Sequence, residues 1–403
     1  MGAYSPRMSA NDVENSTGDR VRTLVDRLLF EQGQLDPLEL LLAAELLAYE
    51  DYEAWRLGRR PELETALTLP AADAVALLAE AADYARRQGL EPRAVSQRGW
   101  AGNEAPLTVS SDAALSDACA TVLAPPPERQ QLDLFHDSGA LLTEDALRDA
   151  LAARRLDEAR EQCARLLDQA PRHDGLQDYL RLIAVLDDAA SAEQTPEQRL
   201  AELEAIEALA RSRLGHRARD VLAALWAALA ERLAARRFDP AAPMLHASRA
   251  WARAGRWDAA RASIEAEPDW QRHPRLVLDH AEACWHRRDA AAVRRDWMHL
   301  CWEHPEAAED AFAAPGFPDP QLAAFWNAFG DLDEPLDTED FPAWLLLRDP
   351  AAALVPTDLA PDDDRGETYR LLHRLTSADD IEHRRALGDL HPQLLRLYLA
   401  QRP

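Results

Sequence analysis

The sequence predicts an all-α protein. Strong helix formers (Ala, Leu, Glu and Arg) dominate the chain, β-branched residues are sparse, and only 15 glycines occur. Apolar residues recur at helical spacing, as in Leu38, Leu42 and Leu46, or in Leu222, Leu225, Trp226, Leu229 and Leu233. At 403 residues, 47% of them apolar, the chain has material for two or three domains with cores of their own.

Residues 1–20 are polar and read as a disordered leader, without the basic-then-apolar order of a signal peptide. Residues 21–90 read as a small helical module. Leu24 and Leu28 open it, and Asp36-Pro37 gives an N-cap followed by a proline at the first helical position. Tyr49, Tyr52, Trp55 and Leu57 then cluster before Gly58, and a last helix runs from Ala71 to Arg87. Residues 91–140 read as a connector, broken by Gly99, Gly102, Asn103 and Pro106. Within it Leu107-Thr108-Val109 is expected to form a short strand, and Ser111-Asp112 to cap a helix reaching about Val122. A Pro-rich stretch, Ala124 to Gln130, leads into Gln131-Leu132-Asp133-Leu134-Phe135.

In residues 141–313 helical segments alternate with short breaks. Thr195-Pro196 starts a helix to about Leu214, and His216 to Arg237 supplies its partner. The segment His246 to Ile264 places Trp251, Gly255, Trp257, Ala260 and Ile264 on a spacing that resembles the tetratricopeptide repeat. Trp285 follows Trp251 by 34 residues, the period of that family, although Asp289 stands for the glycine and Arg294 for the alanine. Upstream, Leu156, Ala159, Cys163 and Pro171 match the later half of the pattern. The resemblance implies an α-solenoid of degenerate helix pairs that binds partners through a variable face, and it carries no functional residues. Residues 314–403, interrupted by Pro315, Pro318, Pro320, Pro335, Pro342, Pro350 and Pro356, are expected to cap the array with helices near 367–375, 381–387 and 392–400.

Composition excludes several function classes. The 45 basic and 71 acidic residues give a formal charge of -26, which repels phosphate backbones and argues against direct nucleic-acid binding. No apolar run approaches the roughly 20 residues of a spanning helix, so no membrane role and a cytoplasmic location are expected. All basic residues are arginine; without lysine, Schiff-base chemistry and a Walker-type phosphate loop are ruled out. The four cysteines (Cys119, Cys163, Cys284, Cys301) form no Cys-x-x-Cys pair and read as reduced, buried thiols.

Gln131, Leu132, Asp133, Leu134 and Phe135 together resemble the pentapeptide with which bacterial replication and repair proteins bind the DNA sliding clamp, Gln-Leu-Ser/Asp-Leu-Phe, at all five positions. The resemblance implies Gln131 as the anchoring polar residue and Leu134 with Phe135 as an apolar plug. The alternative is that Leu132, Leu134 and Phe135 pack onto the following helices as a structural segment. Seven tryptophans crowd residues 251–326; most fit core positions of the repeat, with Trp270, Trp297 and Trp302 the candidates for a partner-facing groove. His280 with Cys284, one helical turn apart, and Cys301 with His304 have zinc-compatible spacing. Both cysteines fall where the repeat holds small packing residues, so a core with surface histidines is the preferred account and no metal or other cofactor is assigned. Tyr49, Asp51, Tyr52, Glu53 and Trp55 read as the rim of the small module's core, and Asp174 of Arg172-His173-Asp174 as a helix cap. The sequence therefore predicts a non-enzymatic protein-binding scaffold whose candidate partner is the sliding clamp.

Overall fold

The structure, a computed structural model, describes residues 10–101, 106–126, 138–188, 194–314, 317–349, 356–377 and 380–401, with backbone alone for 10–19, 138, 358 and 377. Among the described residues the protein is all-α apart from one two-stranded sheet. No helix there is long and apolar enough to cross a membrane. The chain divides into two compact units, Met1–Arg232 with Arg253–Arg256, and Leu233–Ala252 with Trp257–Pro403.

In the first unit, α1 (Ala10–Gln32) begins inside the segment expected to be a leader, and the polar stretch before Val21 continues the helix whose Val21, Val25 and Leu28 are buried. α2 (Pro37–Ala43) starts as the sequence implies: Asp36 is extended, and its carboxylate accepts from the Leu38 N–H at 2.8 Å. α3 (Tyr49–Arg56) and α4 (Ala71–Arg87) complete the module, with α1 packed on α4. Trp55, fully buried, donates its indole N–H to the Thr108 carbonyl at 2.7 Å.

The connector differs from expectation. Leu107 to Val109 forms no strand: Thr108 makes an isolated bridge to Glu62, and the Val109 carbonyl accepts from the N–H groups of Leu63 and Glu64. The sheet is instead β1 (Glu91–Ala94) paired antiparallel with β2 (Thr121–Ala124), Glu91 opposite Ala124. α5 (Ala113–Cys119) is capped by Asp112 but stops short of Val122, because Val122, Leu123 and Ala124 are buried as strand residues. Gln131 to Phe135 lies outside the described residues. Then come α6 (Ser138–Ala152), α7 (Leu156–Gln169), α8 (Leu176–Asp187), α9 (Pro196–Leu214) and α10 (Ala218–Leu233). α7 packs on both α6 and α8. α9 opens with a capping box in which the Thr195 hydroxyl and the Gln198 side chain each bond the other's backbone N–H.

The second unit holds α11 (Ala247–Arg253, whose last residue falls in the first unit), α12 (Trp257–Glu265), α13 (Pro274–His286), α14 (Ala290–Glu303) and α15 (Pro305–Ala313). From α12 to α15 each helix packs on the next. α16 (Pro320–Gly330) and α17 (Phe341–Arg348) follow, then α18 (Asp364–Ser377), α19 (Ile381–Leu390) and α20 (Pro392–Ala400). α17 is buried on all sides from Phe341 to Leu347, so it forms the middle of this core.

The His246 to Ile264 segment forms the expected helix, turn and helix, with Gly255 left-handed at φ 70°. Between α13 and α14 the left-handed residue is Arg288 (φ 59°), one place before Asp289. Asp289 is thereby released to cap α14, its carboxylate accepting from the Ala292 N–H at 3.1 Å. The turn thus forms without a glycine.

Candidate functional site

α13 and α14 face each other, and each carries polar side chains on its buried side. On α13, His280 and Cys284 sit one turn apart, 1% and 0% exposed. On α14, Asp296 interrupts an otherwise apolar buried stripe of Val293, Trp297, Leu300 and Cys301, and is only 2% exposed itself. The three converge. His280 Nδ1 is 2.6 Å from Asp296 Oδ2 and 3.6 Å from Cys284 Sγ. One ligand-type atom of each residue lies within 4.8 Å of the others. The other ring nitrogen, Nε2, is 3.2 Å from a Glu265 carboxylate oxygen at the end of α12 and 3.9 Å from Cys284 Sγ. The Trp270 ring covers the imidazole, centroids 4.4 Å apart.

Electrostatics follow from this packing. Burial disfavours a charged imidazole, yet hydrogen bonds to Asp296 and Cys284 and the negative charge of Asp296 carry the His280 pKa up to about 10. The nearby Glu265 is held below the usual carboxylate range by its hydrogen bond to Arg261, with His280 assisting. Asp296 also lines a cleft of about 530 Å³, together with Arg272, Arg295, His299, Trp302 and His304. The buried His, Cys and Asp cluster thus borders this cleft at one residue, Asp296. Such an arrangement can hold a cation or a buried imidazolium–carboxylate pair.

The sequence-derived residues fall as follows. His280 and Cys284 come together, but Cys301 and His304 do not join them: Cys301 is fully buried in the apolar core, and His304 turns to the Gln271 carbonyl at 3.1 Å, as His299 does at 2.9 Å. Asp296 stands outside the sequence-derived set. The available signal was an acid on the apolar stripe of α14. Trp297 and Trp302, expected to face a partner, are buried at 4% and 1% exposure. Trp297 packs against Phe312 and Phe317, and Trp302 against Tyr369, so both serve the core of the unit. Trp270 is half-buried over His280. Gln131, Leu132, Asp133, Leu134 and Phe135 lie outside the described residues.

The first unit contains a second polar cluster. Glu53, expected at a rim, is 2% exposed and clasped by Arg154 at 2.5 Å and Arg256 at 2.8 Å. Tyr49 donates its hydroxyl to Asp220 at 3.1 Å, and burial pushes Asp220 up to about 6. Asp51 pairs with Arg60 instead. Glu53 and Asp51 thus pair with arginines, and Asp220 with Tyr49 and Arg219, in a network that ties distant parts of the unit together. Asp174 is not the cap of α8: it is exposed, the N-cap is Gly175, and the Gly175 N–H donates to His173 Nδ1 at 3.1 Å. No family model matches the chain, and neither the curated proteins nor the solved structures contain a match to it.

Proposed function

We propose that the chain is a non-enzymatic interaction scaffold that docks on the bacterial DNA sliding clamp through Gln131 to Phe135 and offers its helix pairs to a second protein. The observation that carries this reading is the pentapeptide, which agrees with the clamp-binding pattern at every position. Pro125, Pro126 and Pro127 precede it, and their fixed φ favours an extended chain that loses less entropy on binding. In the complex Leu134 and Phe135 would fill an apolar pocket while Gln131 hydrogen-bonds at its edge.

One observation favours the rival reading of a packed structural segment. Leu141 and Leu142, just beyond the peptide on α6, are 56% and 73% exposed and offer an apolar place for Leu134 and Phe135. A single experiment separates the two. Purified clamp is titrated against the full chain and against a Leu134→Ala/Phe135→Ala variant, with thermal unfolding of both chains measured alongside. Docking predicts a complex that the double substitution weakens by at least 100-fold, with an unchanged melting temperature. Packing predicts no complex with either chain and a lowered melting temperature for the variant.

A further inference from the structure

We propose that His280, Cys284 and Asp296 form a binding site for one divalent transition-metal ion, with zinc the best match to an imidazole, thiolate and carboxylate donor set. This is independent of the clamp reading and uses other residues.

Geometry is the main support. In a tetrahedral zinc site, with Zn–N near 2.0–2.1 Å and Zn–S near 2.3 Å, nitrogen and sulfur donors stand about 3.6 Å apart. His280 Nδ1 and Cys284 Sγ are 3.6 Å apart, and Sγ is 3.9 Å from Nε2, so the thiol lies alongside the ring and has to turn toward the Nδ1 lone pair to share an ion with it. Oxygen and nitrogen donors on such an ion stand about 3.3 Å apart. Asp296 Oδ2 is 2.6 Å from Nδ1, so its carboxylate needs to withdraw by less than about 1 Å when an ion replaces the hydrogen bond.

The surroundings select the ligand atom. Glu265 stands at Nε2, whereas Asp296 stands at Nδ1. A carboxylate there holds Nε2–H and leaves Nδ1 as the donor, the outer support found for histidine ligands of metals. Trp270 covers the ring and fixes its plane. Asp296 borders the cleft, so the fourth ligand of an ion, a water, would come from that side. An all-core alternative has to explain why three polar groups occupy the one place where α13 and α14 could have met through aliphatic side chains. His280 already hydrogen-bonds Asp296 and Cys284, and an ion would exchange those contacts for a bond to each of the three.

The test uses the full chain, stripped with chelator and titrated with cobalt(II). The expected result is one equivalent of cobalt giving a thiolate charge-transfer band with tetrahedral ligand-field bands, all bleached by one equivalent of zinc. Cys284→Ser removes the charge-transfer band, while Cys301→Ser keeps it. Asp296→Asn weakens binding, and Glu265→Gln, changing a partly exposed side chain that is not itself a ligand, lowers affinity about 10- to 100-fold. Zinc also raises the melting temperature of the wild-type chain but not of Cys284→Ser. If Cys284→Ser does not fold, the pairing of a retained band in Cys301→Ser with weakened affinity in Glu265→Gln decides the matter. Absence of a thiolate band in the folded wild-type chain would overturn the proposal, as would a band that survives in Cys284→Ser or affinity unmoved by Glu265→Gln. The cluster would then be a buried imidazolium–carboxylate pair.

Discussion

Asp220 gives the first unit a pH signature. It is 7% exposed on α10, accepts a hydrogen bond from the Tyr49 hydroxyl, and feels Arg219 at 3.5 Å. Burial outweighs that arginine and lifts its pKa from 3.8 to about 6. A carboxyl whose pKa is higher in the folded state contributes stability below the unfolded value and loses it as pH rises through the folded one. The contribution is therefore complete below about pH 4 and gone above about pH 6.5, a loss of order 2–3 kcal/mol. Urea unfolding of wild type and Asp220→Asn across this window should show the wild type losing that amount relative to the variant. Parallel curves would mean that Asp220 ionises in the fold as it does in the open chain. The sequence marked Tyr49 and Glu53 as neighbours but placed Glu53 at a rim. Its partners Arg154 and Arg256 lie 101 and 203 residues away, a separation across which no local spacing rule reaches. Asp296 escaped notice for the same reason, since His280 meets it across a helix pair.

Elements whose ends are set by local chemistry were the legible ones. Asp36-Pro37 and Thr195-Pro196 start helices because a side-chain oxygen accepts the orphan N–H groups next to it, a contact within three residues. The bounds of α4 follow equally from Pro70 and the apolar spacing after it. The sheet was not legible, because β1 and β2 pair across about 30 residues and the burial of Val122 to Ala124 decides against helix. The repeat-like turn lies between these cases. At Gly255 the backbone is left-handed (φ 70°), and an added Cβ would meet the Tyr49 ring at 3.1 Å. Left-handed backbone costs an L-residue about 1–2 kcal/mol, and displacing Tyr49 adds to it. Gly255→Ala should therefore destabilise the chain by about 2 kcal/mol or more in chemical denaturation. Arg288 shows that the conformation alone is tolerated, so the surplus over the backbone cost measures the Tyr49 contact. An unmoved unfolding midpoint would mean that the turn accepts a side chain and that glycine is incidental there.

At the scale of the whole molecule the governing quantity is charge. A chain of 45 basic and 71 acidic residues surrounds itself with a field of the same sign as DNA, which carries about one charge per 1.7 Å of duplex. If it works at DNA, the proposed docking peptide has to supply the attachment, and that attachment differs in kind from phosphate contact. Binding through phosphate neutralisation loses about 10³- to 10⁵-fold in affinity between about 50 and 200 mM salt for a protein making 6–10 such contacts. Docking through Leu134 and Phe135 is apolar and changes little over that range, while screening weakens the repulsion between the acidic body and the duplex. The expected outcome is no retention on bare duplex even at low salt, retention on duplex carrying a loaded clamp, and retention that holds or improves as salt rises. The Leu134→Ala/Phe135→Ala chain should wash off in every condition. Retention on bare duplex, or retention with a loaded clamp that collapses with salt as a phosphate binder's would, would place the contact on the DNA and remove the reason for the peptide.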